Sequence, residues 1–250
     1  MNNKRVYILK EYIIKEIKSL IKEENVLITR RSPEERKKNH LIATQRKIQQ
    51  YIKDGSKGDL NLNGAPITSL PDNLTVGGSL YLFNTLITKL PNNLTVNGSL
   101  DLNNTLIITL PDNLTVNGSL NLSATKITSL PDNLTVNGSL NLSKTPITSL
   151  PDNLTVGGDL SLTATKITSL PDNLTVGGSL YLDSTPITKL PNNLTVNGNL
   201  FLSISKITSL PNNLTVTKDL YLGRTPISKK YTKEQLGQML PNVKGNIYLY

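Results

Sequence analysis

The chain has 250 residues, of which only 4% are aromatic, with two Phe, no Trp and no Cys. A conventional aromatic-filled core is therefore hard to build, and disulfides, thiolate chemistry and cysteine-ligated zinc are excluded. The formal charge of +9 is concentrated: residues 1–58 hold 15 Lys/Arg against 7 Asp/Glu, while the remaining 192 hold 12 against 11. The positive field belongs to the N-terminal segment alone.

From Lys4 to Glu24, the residues Val6, Leu9, Ile13, Ile17, Leu20 and Ile21 recur three or four apart with Lys and Glu between them. This spacing predicts an amphipathic helix. Asn25–Thr29 reads as a short extended piece. Ser32-Pro33-Glu34-Glu35 then announces a second helix, with Ser as cap, Pro suited to the first turn and Glu35 completing a capping box; it should run to about Lys53 and stop at Gly55. No stretch approaches the roughly 18 consecutive apolar residues of a membrane span, and the Lys/Glu-interleaved N-terminus is unlike a signal peptide. The expectation is a soluble cytoplasmic protein with no membrane partner.

From Leu60 onward one 20-residue unit repeats, and the pair Leu70-Pro71 recurs at every step of 20 through Leu210-Pro211. In the copy LYLFNTLITKLPNNLTVNGS the apolar set is Leu80, Leu82, Ile87, Leu90, Leu94 and Val96. Leu80-x-Leu82 and Leu94-x-Val96 have the period of two of short strands, while Pro91 and Gly98 mark turns. One coil cannot bury six apolar side chains by itself, whereas stacked coils can. After Ile227 the pattern is interrupted: Thr232-Lys-Glu-Gln235 is another capping box, opening a short helix with Leu236, Met239 and Leu240 on one side. Val243-Lys-Gly245-Asn-Ile247-Tyr-Leu249 then resumes the coil. The predicted organisation is a basic helical cap over 1–58, a parallel β-solenoid over 59–227 and a helix-containing C-terminal cap over 228–250, each cap shielding an open edge.

Leu80-x-Leu82-x-x-Thr85-x-Ile87-x-x-Leu90-Pro91 resembles the leucine-rich-repeat pattern LxLxxNxLxxLP, and the 20-residue length with the LP pair looks most like its bacterial subclass. Two departures keep a β-helix with several short faces open beside the horseshoe: the family's Asn is replaced by Thr85 and its equivalents, and the segment Leu94 to Leu100 is longer. The resemblance implies protein recognition on the strand face. The near-identical units and the C-terminal ending also resemble small bacteriophage-encoded repeat proteins, a likeness that carries no activity with it and implies only host cytoplasm as the location; the expected partner is a host or viral protein.

Little in the sequence supports catalysis. His40 is the only histidine and stands in the Lys-rich start of the second helix, so no Ser-His pair or His-based metal site is available, and neither cofactor nor metal is expected. Asp72, Asp112, Asp132, Asp152 and Asp172 share one column, but Asn replaces Asp at 92, 192 and 212, as expected where a side chain bonds its own turn. Gly55-Ser-Lys-Gly58 is too short for a phosphate loop. The Asn73-x-Thr75 ladder offers a flat surface for ordering water or ice, although hydrogen bonds that close the stack are the favoured reading. The NLT triplets are likewise read as structural.

The variable column carries more information. Asn61, Tyr81, Asp101, Asn121, Asn141, Ser161, Tyr181, Phe201, Tyr221 and Tyr248 point away from the core, and the last four make an aromatic strip. Tyr81 with Phe83, the strip Tyr181, Phe201, Tyr221 and Tyr248, and the charged neighbours Asp183 and Arg224 are the candidate protein-binding residues. Asp159 and Asp219 extend the charged rim. The second candidate is a phosphate-binding cluster of Arg30, Arg31, Arg36, Lys37, Lys38, Arg46 and Lys47, continued by Lys53. The expectation is thus a non-enzymatic binding scaffold, with nucleic-acid association as the alternative and pairing of two copies left open.

Overall fold

The computed structural model describes residues 3–30, 32–172 and 174–250. The chain divides into two compact units, Met1–Arg46 and Lys47–Tyr250.

In the first unit helix α1 (Asn3–Arg30) runs unbroken through Asn25–Thr29, correcting the expected extended piece. Leu27 and Ile28 stand seven residues on from Leu20 and Ile21, and no Gly or Pro intervenes before Pro33. Against that continuity the β-branched Val26, Ile28 and Thr29 disfavour a helix by only about half a kcal/mol each. The side chains of Val6 and Leu9 lie outside the described residues, whereas Ile13, Ile17, Leu20 and Ile21 are exposed. Helix α2 (Pro33–Lys53) opens on the expected capping box. The Ser32 N–H donates to Glu35 Oε2 at 2.8 Å and the Glu35 N–H to Ser32 Oγ at 3.2 Å.

The last turns of α2 belong to the second unit and close its first coil. Ile48 is buried, and the Tyr51 hydroxyl lies 2.8 and 2.7 Å from the carbonyl oxygens of Ser56 and Gly58 while accepting the Gly77 N–H at 3.1 Å. These contacts occupy backbone groups that a next coil would otherwise pair.

The strand Leu60–Asn61, then Leu80–Tyr81 and each equivalent to Leu220–Tyr221, and finally Ile247–Tyr248, form one ten-stranded parallel sheet in chain order. Leu80 pairs with Leu100 and Leu200 with Leu220, so the register is one repeat. The last step, Leu220 to Ile247, is longer because α3 (Pro226–Lys230) and α4 (Lys233–Met239) are inserted. Helix α4 is the one announced by the Thr232 capping box, which forms with Gln235. Helix α3 was not expected; Thr225 caps it, accepting the Ser228 N–H at 3.2 Å.

A second face carries the strand Thr75–Val76 and its equivalents, so the cross-section has strands on two sides. Here the ladder is split into three strands ending at Thr115–Val116 and five beginning at Thr135–Val136. At the split Leu114 is half-buried while Leu94 and Leu134 are buried, and a cleft of about 230 Å³ opens.

The core lies between the two faces. Leu80, Leu82, Ile87, Leu94 and Val96 are wholly buried, and their equivalents in later coils are nearly all so. Each such side chain contributes roughly 1.5–3 kcal/mol when withdrawn from water. The Thr that replaces the family's Asn is buried too, and its hydroxyl bonds inside its own coil: Thr85 Oγ1 donates to the Leu82 carbonyl at 2.8 Å, and Thr105 and Thr125 do likewise to Leu102 and Leu122 at 2.8 and 2.7 Å. Gly98 and its equivalents serve close approach rather than a special turn: a Cβ on Gly118 would sit 2.7 Å from the Gly98 carbonyl carbon.

Candidate functional site

The outward column of the ten-stranded sheet changes character along the stack. In its middle the side chains satisfy local backbone. Asp101, Asn121 and Asn141 accept the N–H two residues on, from Asn103, Ser123 and Ser143, at 3.0, 3.1 and 3.0 Å. This is the bond an Asx side chain makes most readily in a turn.

At the C-terminal end the column is Tyr181, Phe201, Tyr221 and Tyr248, brought together by consecutive strand pairings. Their rings stack at centroid separations of 4.6, 4.5 and 4.8 Å with interplanar angles of 5°, 11° and 11°. The separations match the spacing of paired strands, about 4.8 Å, so in-register stacking of coils aligns the rings. Each ring covers its neighbour's face; the strip is half-buried, as Tyr81, Asp101, Asn121 and Asn141 of the same column also are. Tyr81 stands apart: its strand neighbours are Asn61 and Asp101. Phe83, two residues on, is exposed, and so are Leu86 of the same coil and Leu106 and Ile108 of the next. Those three departures from the Pro, Lys and Thr usual at their positions were available in the sequence but were not singled out.

The carboxylates around the strip are tied into the stack. Asp159 Oδ1 accepts the Ser179 N–H at 2.7 Å, Asp183 Oδ1 the Ser203 N–H at 3.0 Å and Asp219 Oδ1 the Asn246 N–H at 2.8 Å. They hold successive coils together as Ser79 and Ser99 do elsewhere. Burial raises the Asp183 carboxyl above its ordinary pKa, against the lowering effect of its bonds to backbone and to Ser203. Withdrawal from water raises the Tyr221 phenol, and the Asp219 carboxylate adds to this, with Asp219 Oδ2 accepting its hydroxyl at 3.4 Å. Arg224 is exposed.

One coil of the strip breaks the local rules more than any other. Residues 84, 104, 124, 144, 164, 184, 204 and 224 all adopt left-handed backbone, and seven of them are Asn, Ala, Lys, Ser or Arg. The eighth is Ile204, at φ 63° and 55% exposed. A β-branched residue there is an outlier, strained on the order of 1–3 kcal/mol, and at 55% exposure its burial is only partial. In the same coil Ser205 replaces the buried Thr, and its hydroxyl has no hydrogen-bond partner. Sequence reading missed Ile204, because the need for a left-handed residue at that position is set by the backbone.

The basic cluster is less coherent. Arg31 and the side chain of Arg30 lie outside the described residues. On α2, Arg36, Lys37 and Lys38 are successive residues at 100° steps, so they share no face. Lys47 Nζ donates to the Asn61 carbonyl at 2.5 Å, which makes it a tether to the first coil. Arg46 and His40 are exposed. Among the described residues no group of three or more His, Cys, Asp or Glu is placed to hold a metal, and no helix is long and apolar enough to cross a membrane. Asp172, of the aligned Asp column, lines a polar groove of about 490 Å³ with Lys189 and Asn192. The Asn ladder closes in segments: Asn93 Nδ2 donates to Asn73 Oδ1 at 3.0 Å and Asn153 Nδ2 to Asn133 Oδ1 at 3.1 Å.

No protein-family model and no curated protein sequence matches the chain. Among solved structures it is similar to the leucine-rich-repeat domain of a Shigella effector, at 18% identity and a TM-score of 0.48, over 83% of this chain and 87% of that one. It is also similar to YopM, a leucine-rich effector protein of Yersinia pestis, at 19% identity and a TM-score of 0.40, over 72% of this chain and 64% of that one. A leucine-rich-repeat protein of Leptospira interrogans aligns at 20% identity and a TM-score of 0.27, over 72% of this chain and 76% of that one.

Proposed function

We propose that the chain is a non-enzymatic binding scaffold that docks a protein partner against the strip of Tyr181, Phe201, Tyr221 and Tyr248, with Ile204 and Arg224 beside it. The observation that carries this reading is the coincidence, in one coil, of a stacked aromatic residue with an exposed β-branched residue held in left-handed backbone. The fold requires neither, since the same column carries Asn121 and Asn141 in other coils and Asn at position 204 would be unstrained. Aromatic side chains with polar rims are the usual anchors of protein interfaces. Stacking favours the role as well, because a ring already held by its neighbours loses little rotamer freedom on binding. Asp183, tied to the Ser203 backbone, belongs to the support beneath the strip, and Tyr81 with Phe83 forms a separate, smaller surface. The partner proposed is a host protein, such as a defence protein.

The test is capture of host-lysate proteins on the full chain, followed by direct affinity measurement with whatever is captured. Phe201→Ser and Tyr221→Ser should weaken binding at least about tenfold, as hot-spot truncations do. Asn121→Ser, in the polar part of the same column, should leave it unchanged. Strip variants that bind every captured protein as the wild type does sink the proposal. Binding that disappears with rising salt and with Lys37→Ala/Lys38→Ala would instead identify phosphate contact.

A further inference from the structure

Helix α1 carries an apolar stripe that the described structure leaves uncovered. Ile13, Ile14, Ile17, Leu20 and Ile21 are all exposed by between 46% and 59%. At 100° per residue these five fall within a sector of about 120°, wider than the narrow seam of a simple two-stranded coil and suited to packing against neighbouring helices. Most helical stability in proteins comes from covering such a stripe, so an open one leaves α1 without its main source of stabilisation.

Over residues 10–23, whose side chains are described, the two borders of the stripe differ in charge. Lys18 and Lys22 fall on one side, 100° and 140° from its centre; Glu16 and Glu23 fall on the other, at 100° and 120°. Glu11 is the exception on the basic border, where it stands four residues before Lys15, the favourable order for a pair on one helix. Lys10 falls within the stripe at its N-terminal end, where its long stem can lie along apolar surface with the ammonium in water. All of these residues are exposed.

We infer that α1 is a self-association element: the stripes of α1 helices from copies of this chain pack together in parallel. A border that is basic on one side and acidic on the other is complementary to itself only in that orientation. Parallel helices related by rotation about the bundle axis set Lys18 and Lys22 of one copy against Glu16 and Glu23 of the next. An antiparallel pair would face Lys with Lys and Glu with Glu, which is repulsive. Mixed signs also argue against an anionic lipid surface or a nucleic acid as the occupant, since either would select for Lys and Arg on both borders. Association brings several solenoids together and so multiplies any surface they carry.

Sedimentation velocity on the full chain tests this. The wild type should sediment as two or more copies of the 27.4 kDa chain, and Ile17→Lys/Leu20→Lys should sediment as one, with unchanged thermal unfolding of the solenoid. Glu16→Lys/Glu23→Lys alone and Lys18→Glu/Lys22→Glu alone should each be monomeric over the range where the wild type associates, and mixing the two should restore association. Because the chain has no cysteine, a single Ile13→Cys change should give a homodisulfide between copies under mild oxidation. A wild type that stays monomeric at all concentrations overturns the inference. So does association without charge-reversal rescue, or association in which Ile13→Cys cross-links only with Ile21→Cys.

Discussion

Two stretches of the same sheet, Leu100 to Ser161 and Leu180 to Tyr248, have one core and opposite surfaces. Beneath them Leu120 and Leu200 are equally inaccessible, and the strand pairing has the same form throughout. Above them the first stretch presents Asp101, Asn121 and Asn141, each bonding its own turn, and the second presents a stacked file of rings. A fold that accepts both sets does not dictate either. The polar set makes a hydrogen bond worth about 0.5–1.5 kcal/mol and the aromatic set makes stacked contacts of about the same size, so the fold requires neither.

The comparison fails at its foundation if the two stretches are not equivalent inside. Leu120→Ala and Leu200→Ala should each lower stability by roughly 2–5 kcal/mol, the range for a wholly buried leucine, and the two losses should agree to within about 1 kcal/mol. Denaturant midpoints of the full chain measure both. A much smaller loss at Leu200 would mean that the C-terminal coils are looser, and the aromatic file would then be structural compensation.

Smaller effects sharpen the contrast within the strip. Ser205→Thr restores a buried methyl and the hydroxyl bond that Thr125 and Thr185 make to the carbonyl three residues back. It should therefore raise stability by about 1–2 kcal/mol. Ile204→Asn puts at that turn the residue found at Asn84 and Asn104, relieving left-handed strain, and should raise stability by about 1 kcal/mol. If Ile204 belongs to the docking surface, the same change weakens partner binding while it stabilises the chain. A change that stabilises and leaves affinity intact would remove Ile204 from the site.

The periodic part of this architecture was readable because each repeat column is one structural role. Leu80, Leu82, Ile87, Leu94 and Val96 recur at the positions the core requires, and the LP pair and the Thr232 capping box locate a corner and a helix start without any three-dimensional information. The aromatic file followed from the same logic, since residues 20 apart must lie over one another. What escaped reading depends on backbone geometry or on small imbalances. Ile204 is unusual only once its turn is known to be left-handed. The opening beside Leu114 arises where nearly identical coils part, so no residue type announces it. Asn25–Thr29 carries the β-branched Val26, Ile28 and Thr29, yet helix continuity outweighs a propensity difference of about half a kcal/mol per residue.

The smallest effect separates the two ends of the sheet by pH. Asp183 Oδ1 and Asn63 Oδ1 do the same work, accepting the N–H of the residue one coil on, Ser203 at 3.0 Å and Phe83 at 2.9 Å. Only Asp183 titrates, and burial holds its carboxyl above its ordinary value of 3.8 in the folded chain. The folded state therefore binds more proton than the unfolded state between 3.8 and that raised pKa. Stability contributed by this group is present at low pH and declines as pH rises through that window. Asp183→Asn keeps an oxygen acceptor for Ser203 and removes the titration. Denaturant midpoints collected from pH 3.5 upward should show the wild type losing ground to the variant as pH rises and then running parallel to it. Curves parallel over the whole range would mean that the carboxyl is as well hydrated as in the unfolded chain, and the support beneath Phe201 would then be open to water.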